Sequence, residues 1–217
     1  MARDNQQIHP ARNHELAPRR SLRAAISRLL WTTMVLLGLA PAAAFQQPPA
    51  IDTQRSMITV YARTAGLFSA FGHGHEIRAP IARGSVILGS APAVELTIAS
   101  RELQVIDKDA SAKDRAEIQQ RMHAEVLDSA HFPEIVFRSK SIEKAAAGQW
   151  QVRGDLTLRG QTRPIALNVG ERKEGYVGRT IVKQKDFGIT PVSLAGGTVR
   201  VRNELNIEFE IFLQRTQ

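Results

Sequence analysis

The chain has 217 residues, 43% of them hydrophobic, enough for one well-buried domain and hardly two. Its formal net charge is +8, but Arg3, Arg12, Arg19, Arg20, Arg23 and Arg28 stand against only Asp4 and Glu15 in the first 44 residues, so half of the surplus sits there. The remainder has no block of like charges and no interleaved aromatics, which argues against a nucleic-acid partner, and the absence of cysteine rules out disulfides, thiolate metal sites and a cysteine nucleophile.

From Arg19 a basic stretch leads into an apolar run, Leu29 to Ala40, and then into Pro41-Ala42-Ala43-Ala44. That is the order of a secretory signal with cleavage after Ala44. The apolar run is shorter than the roughly 20 residues a membrane span needs, which favours export over an uncleaved anchor. We therefore expect a cleavable signal over 1–44, a short extended linker over 45–50 containing Gln46-Gln47-Pro48-Pro49, and a mature domain over 51–217.

Beyond Ile51 the dominant period is two, the signature of strands with one dry face. Met57 to Tyr61 is rich in strand formers, and Val94, Leu96 and Ile98 alternate with Glu95, Thr97 and Ala99. Ser111-Ala112-Lys113-Asp114 resembles a capping box, and helix formers run on to about Ala124, so one polar helix interrupts the strands and borders one end of the fold. Strands resume with Ile135 and Phe137, then with Trp150, Val152, Leu156 and Leu158 on one parity, then with Ile165, Leu167 and Val169. The last is the clearest: Val199, Val201, Leu205, Ile207, Phe209 and Ile211 oppose Arg200, Arg202, Glu204, Asn206, Glu208 and Glu210. Gly148, Arg159-Gly160 and Glu174-Gly175 separate these runs as hairpin turns would. The expected fold class is all-β: about eight antiparallel strands with one short helix, closed either as a two-layer sandwich or as a barrel. Periodicity alone does not choose between them.

Several segments together resemble the YceI-like family of exported lipid-binding proteins. They are Ile51-Asp52 with Ser56, Gly66-Leu67-Phe68 with Phe71-Gly72-His73, Leu127-Asp128-Ser129 with Phe132-Pro133-Glu134-Ile135, Gly154-Asp155-Leu156-Thr157 with Gly160-Gln161-Thr162-Arg163-Pro164, and Asp186-Phe187-Gly188-Ile189. The resemblance implies a single lipocalin-like barrel in the periplasm, without catalysis or a required cofactor, whose apolar pore holds a polyisoprenoid or similar long-chain amphiphile. It leaves room for transient membrane contact and for a homodimer. Pore candidates are Leu67, Phe68, Phe71, Leu96, Ile98, Phe137, Leu156, Leu158, Leu167, Phe187, Leu205, Ile207 and Phe209.

One segment, Phe71-Gly72-His73-Gly74-His75-Glu76-Ile77, departs from the commonest family pattern. On a strand His73 and His75 share a face, as half of a metal site would, with His123 and His131 the other mature-chain imidazoles. This defines the alternative reading, a metal- or haem-linked redox protein using His73 and His75; head-group contact or a hydrogen-bonded loop is the other role for these residues. Asp186-Phe187-Gly188 lacks every companion motif of a kinase, and Gly196-Gly197 reads as a turn. The pairs Glu204 with Glu208 and Asp107 with Asp109 read as solvated carboxylates, and Ser129 near His131 as no triad.

Overall fold

In the computed structural model, which describes residues 50–65, 74–194 and 199–214, the alternating segments form one antiparallel sheet. Its strands are β1 (Met57–Ala65), β2 (His75–Ala79), β3 (Ile81–Ile87), β4 (Ala93–Ala99), β5 (Gln104–Val105), β6 (Glu134–Ala146), β7 (Gln149–Leu158), β8 (Gln161–Arg172), β9 (Gly175–Lys183), β10 (Ser193–Leu194) and β11 (Val199–Phe212). The expected signal and all of the linker before Ala50 lie outside the described residues, as do Leu67, Phe68, Phe71, His73 and Gly196-Gly197.

The strands neighbour one another in the order β3-β4-β6-β7-β8-β9-β11-β1-β2-β5, with β10 on β11. Only Pro80 separates β2 from β3, yet β2 pairs with β1 and β3 pairs with β4. A single strand, bent at Pro80, therefore reaches both ends of the sheet, with only the two-residue β5 outside β2. Proline suits the bend because it has no N–H to contribute to either ladder. Counted this way, and setting aside the two-residue β5 and β10, eight long strands among the described residues close on themselves. This is a barrel; a sandwich would need two sheets.

The family-like segments turn out to be the joints of this closure. Ile51, 1% exposed, donates its N–H to the Gly84 carbonyl at 2.9 Å, Asp52 donates to Phe212 O at 2.8 Å, and Gln214 donates to Ala50 O at 2.9 Å. Residues 50–52 thus stitch β3 to the end of β11. The Asp52 carboxylate accepts from the N–H groups of Gln54 and Arg55, and the buried Ser56 hydroxyl accepts from Phe212 N–H at 2.9 Å. A second joint lies between Leu127 and Gly160. Asp128, at φ 48°, accepts from the N–H groups of His131 and Phe132, turning the chain into β6. The turn Arg159-Gly160, at φ 49° and 70°, has the left-handed geometry that a two-residue hairpin loop requires. A Cβ on Gly160 would stand 2.6 Å from the Phe132 ring, so the segments around Phe132 and Gly160 touch each other.

The helix α1 (Ala112–Arg121) starts where expected: Asp114 N–H donates to the Ser111 hydroxyl at 3.1 Å. It ends three residues before Ala124 because Met122–Val126 open into a wider turn, with Leu127 N–H reaching Met122 O at 2.9 Å. Gln119 ties this helix to β5, its amide accepting from Val105 N–H at 2.7 Å and donating to Leu103 O at 2.6 Å. Gln119→Leu leaves both backbone groups unpaired, at about 1–3 kcal/mol each. We expect a lower thermal midpoint together with faster amide exchange at Val105; unchanged protection there would show that Gln119 does not hold the helix.

Candidate functional site, an apolar cavity in the barrel

The inward parity of the strands does not fill the barrel. It encloses a cavity of about 1040 Å³, at the top of the roughly 300–1,000 Å³ range of small-molecule sites. Of the described pore candidates, Leu96, Ile98, Phe137, Leu156, Leu158, Leu167, Leu205, Ile207 and Phe209 line it. Phe187 does not. It is 2% exposed and belongs to the packed core, but it lies in the short helical turn Gln184–Phe187 that follows β9, where the period-two rule no longer places side chains in the lumen. The strand parity also brings in Val60, Trp150, Val152, Val169 and Tyr176, with the rings of Trp150 and Tyr176 in edge contact at 5.9 Å.

Two inward glycines make room for aromatic rings. Gly154 sits beneath Phe137 and Gly178 beneath Phe209; a Cβ on either would lie within 3 Å of the ring. The cavity reaches the hairpin of β3 and β4, where Ile87 and Leu88 line it while 42% and 56% exposed. It also reaches α1, which contributes Ile118, followed by Met122 from the wider turn.

The helix side carries the polar groups. His75 Nδ1 lies 2.6 Å from the Asp107 carboxylate, which also accepts from Glu76 N–H at 2.6 Å, and Arg115 donates to the Asp107 carbonyl at 3.0 Å. A carboxylate only accepts, so Nδ1 carries the proton and Nε2 is left for another partner. Asp107 was expected to be solvated; it is buried. Its pairing with a histidine 32 residues away in sequence leaves no trace in local spacing. Glu204 and Glu208 are exposed as expected. Among the described residues no group of three His, Cys, Asp or Glu is placed to hold a metal.

His123, the second imidazole near this end, faces the donor-only amide nitrogen of Gln119 through Nε2 and reaches the buried Ser129 hydroxyl through Nδ1 at 3.2 Å. Burial holds it below the usual histidine range, with Arg101 acting in the same direction against the Leu103 carbonyl and Glu102. The folded protein therefore favours neutral His123. Its contribution to stability is complete above the unfolded value of about 6.5 and declines as pH falls from there towards the lower folded value. We expect the wild type to lose more stability between pH 7.5 and about 5.5 than His123→Gln does, read from denaturant midpoints. Equal losses would mean that His123 is not the sensitive group.

One antiparallel barrel around an apolar lumen defines a lipocalin-like architecture. The chain belongs to the YceI-like domain family, whose family model matches residues 50–213. A "UPF0312 protein" of Vibrio cholerae is 31% identical over 117 residues, covering 48% of this chain and 60% of the relative. One from Shewanella baltica is 33% identical over 95 residues, covering 39% and 49%. The matched part thus spans about half to three-fifths of these relatives. Among solved structures, Burkholderia cenocepacia BcnA superposes with TM-score 0.57 at 16% identity, covering 74% of this chain and 98% of that one. A polyisoprenoid binding domain from Saccharophagus degradans, implicated in plant cell wall breakdown, gives 0.53 at 12% identity, covering 77% and 98%.

Proposed function

We propose that this protein is an exported, periplasmic carrier that holds a polyisoprenoid or similar long-chain amphiphile in the barrel, without turnover. The cavity of about 1040 Å³ with its Leu, Ile, Val and Phe lining carries the reading, and the YceI-like family supports it. Energetics favour a long ligand over a short one. Each methylene-sized group contributes about 0.8 kcal/mol on burial, so ten offer about 8 kcal/mol against an association cost of roughly 4–15 kcal/mol. His75, fixed by Asp107 at the rim, offers Nε2 as a polar contact for the head of the amphiphile. One chain encloses the cavity, so the reading needs no second copy.

The direct test is organic extraction and native mass spectrometry of the full chain produced with its own leader. The expected result is a long-chain apolar molecule in a fixed ratio to protein, recovered from the periplasmic fraction. Repeated recovery of empty protein, or of protein retained in the cytoplasm, would defeat the reading.

A further inference from the structure

The barrel wall has a seam. β8 pairs with β7 from Gln161 to Gly170 and β9 pairs with β11 from Gly175 to Lys183, yet β8 and β9 pair with each other only through Asn168–Arg172 and Gly175–Arg179. If their register continued, Ala166 would oppose Ile181 and Pro164 would oppose Lys183; neither pair forms. Across this gap the Thr180 hydroxyl donates to Ala166 O at 2.8 Å. The N–H and C=O of a strand residue point to the same side, and sides alternate along the strand. Since the Ala166 carbonyl faces β9, so does Pro164, which has no N–H to offer. Ile165, Thr180, Val182 and Ile207 line both the internal cavity and a groove on the outer surface. The wall there is one side chain thick.

The outer side of the seam is also unusual. Ile181 is 59% exposed on the outer face, between the exposed Arg179 and Lys183 on the same side of β9. With Arg163, Arg202 and Arg63, these cations outnumber Asp186, Glu204 and Glu208 around the groove. An apolar residue ringed by surplus cations matches the interface of an anionic bilayer. The helix-side opening has the opposite character, with Asp107, Asp109, Asp114 and Glu117 against Lys108 and Arg121.

We propose that the seam between β8 and β9 is the port through which the apolar ligand passes between the cavity and an anionic lipid surface. This rests on the binding reading above. The chain has no cysteine, so Ala166→Cys/Ile181→Cys supplies a unique thiol pair that a short bis-methanethiosulfonate linker bridges and dithiothreitol releases. The probe is all-trans-retinol, an intrinsically fluorescent isoprenoid alcohol, carried in phosphatidylcholine vesicles containing about 30% phosphatidylglycerol.

Bridging should slow retinol transfer to the full chain by about tenfold or more without lowering the amount bound at equilibrium, and dithiothreitol should restore the rate. The same bridge across β4 and β6, in Glu95→Cys/Arg138→Cys, should leave the rate unchanged, because those residues pair on the far ladder. Pure phosphatidylcholine vesicles should deliver retinol more slowly, and Arg179→Glu/Lys183→Glu should abolish that difference. An unchanged rate in the bridged β8–β9 variant overturns the port and places entry past Leu88. Equal rates from both vesicles overturn the lipid-surface part. If unbridged protein binds no retinol at all, the cavity reading falls and the port with it.

Discussion

Leu167→Trp/Leu205→Trp should yield folded protein that has lost at least about nine-tenths of its extractable lipid, a change of some 1.4 kcal/mol or more in affinity. Both leucines line the cavity and neither is fully buried, so the added indoles grow into open volume. In a packed core the same substitutions would overfill the site and cost about 1–3 kcal/mol apiece. Here added contacts replace unfilled space, and the thermal midpoint should hold or rise. The measurement is lipid recovered per mole of protein beside a thermal melt. Wild-type lipid content in a stable double variant would place the ligand outside the barrel; a large loss of stability would show that the lumen is already full.

Gly154→Ala should be among the most damaging small substitutions in the sheet. Its Cβ would stand 2.3 Å from the Arg138 carbonyl and 2.7 Å from the Phe137 ring. The ring could turn aside, but the carbonyl belongs to the ladder between β6 and β7, where Gly154 pairs with Ser139. Relief requires the strands to part, and we expect a loss of about 1–3 kcal/mol, or roughly 2–4 °C per kcal/mol in a chain of this size. Gly170→Ala provides the contrast: the nearest atom to its Cβ is 3.9 Å away, so the change should be neutral or mildly stabilising. Similar melting points for the two variants would contradict the close-packing account of Gly154.

How much of this was legible in the sequence depended on whether neighbouring residues carried the information. The strand from Val199 to Phe212 could be read directly because its two faces meet different solvents, and the Ser111 cap because its partner is three residues away. Barrel closure could not. Ala79-Pro80-Ile81 reads as a break between strands, and only the pairing of Ile58 with Ala79 and of Ile81 with Ile98 shows that the break is a bend. The cavity was equally hidden, since strands that face an open lumen and strands that face a packed layer obey the same alternation. Phe187 shows the converse, a buried residue that the family resemblance placed in the lumen and that a helical turn sets in the packed core instead. Pro164 did carry a readable signal: a proline inside an otherwise regular strand marks an unpaired edge, and here that edge is the seam. His75 and Asp107 meet only because β2 and the segment after β5 are brought together.

The stitching of residues 50–52 to Phe212 and Gln214, together with the pairing of Met57 with Glu210, also bears on how the molecule comes into being. Among the described residues the first long strand, β1, has its principal partner in the last, β11, so the ring cannot shut before β11 has been made. Local hairpins such as β6–β7 and β7–β8 form early, whereas the terminal ladder bears the entropic cost of joining the two ends of the domain and comes late. A nascent chain of this connectivity remains linear and threadable until β11 is made.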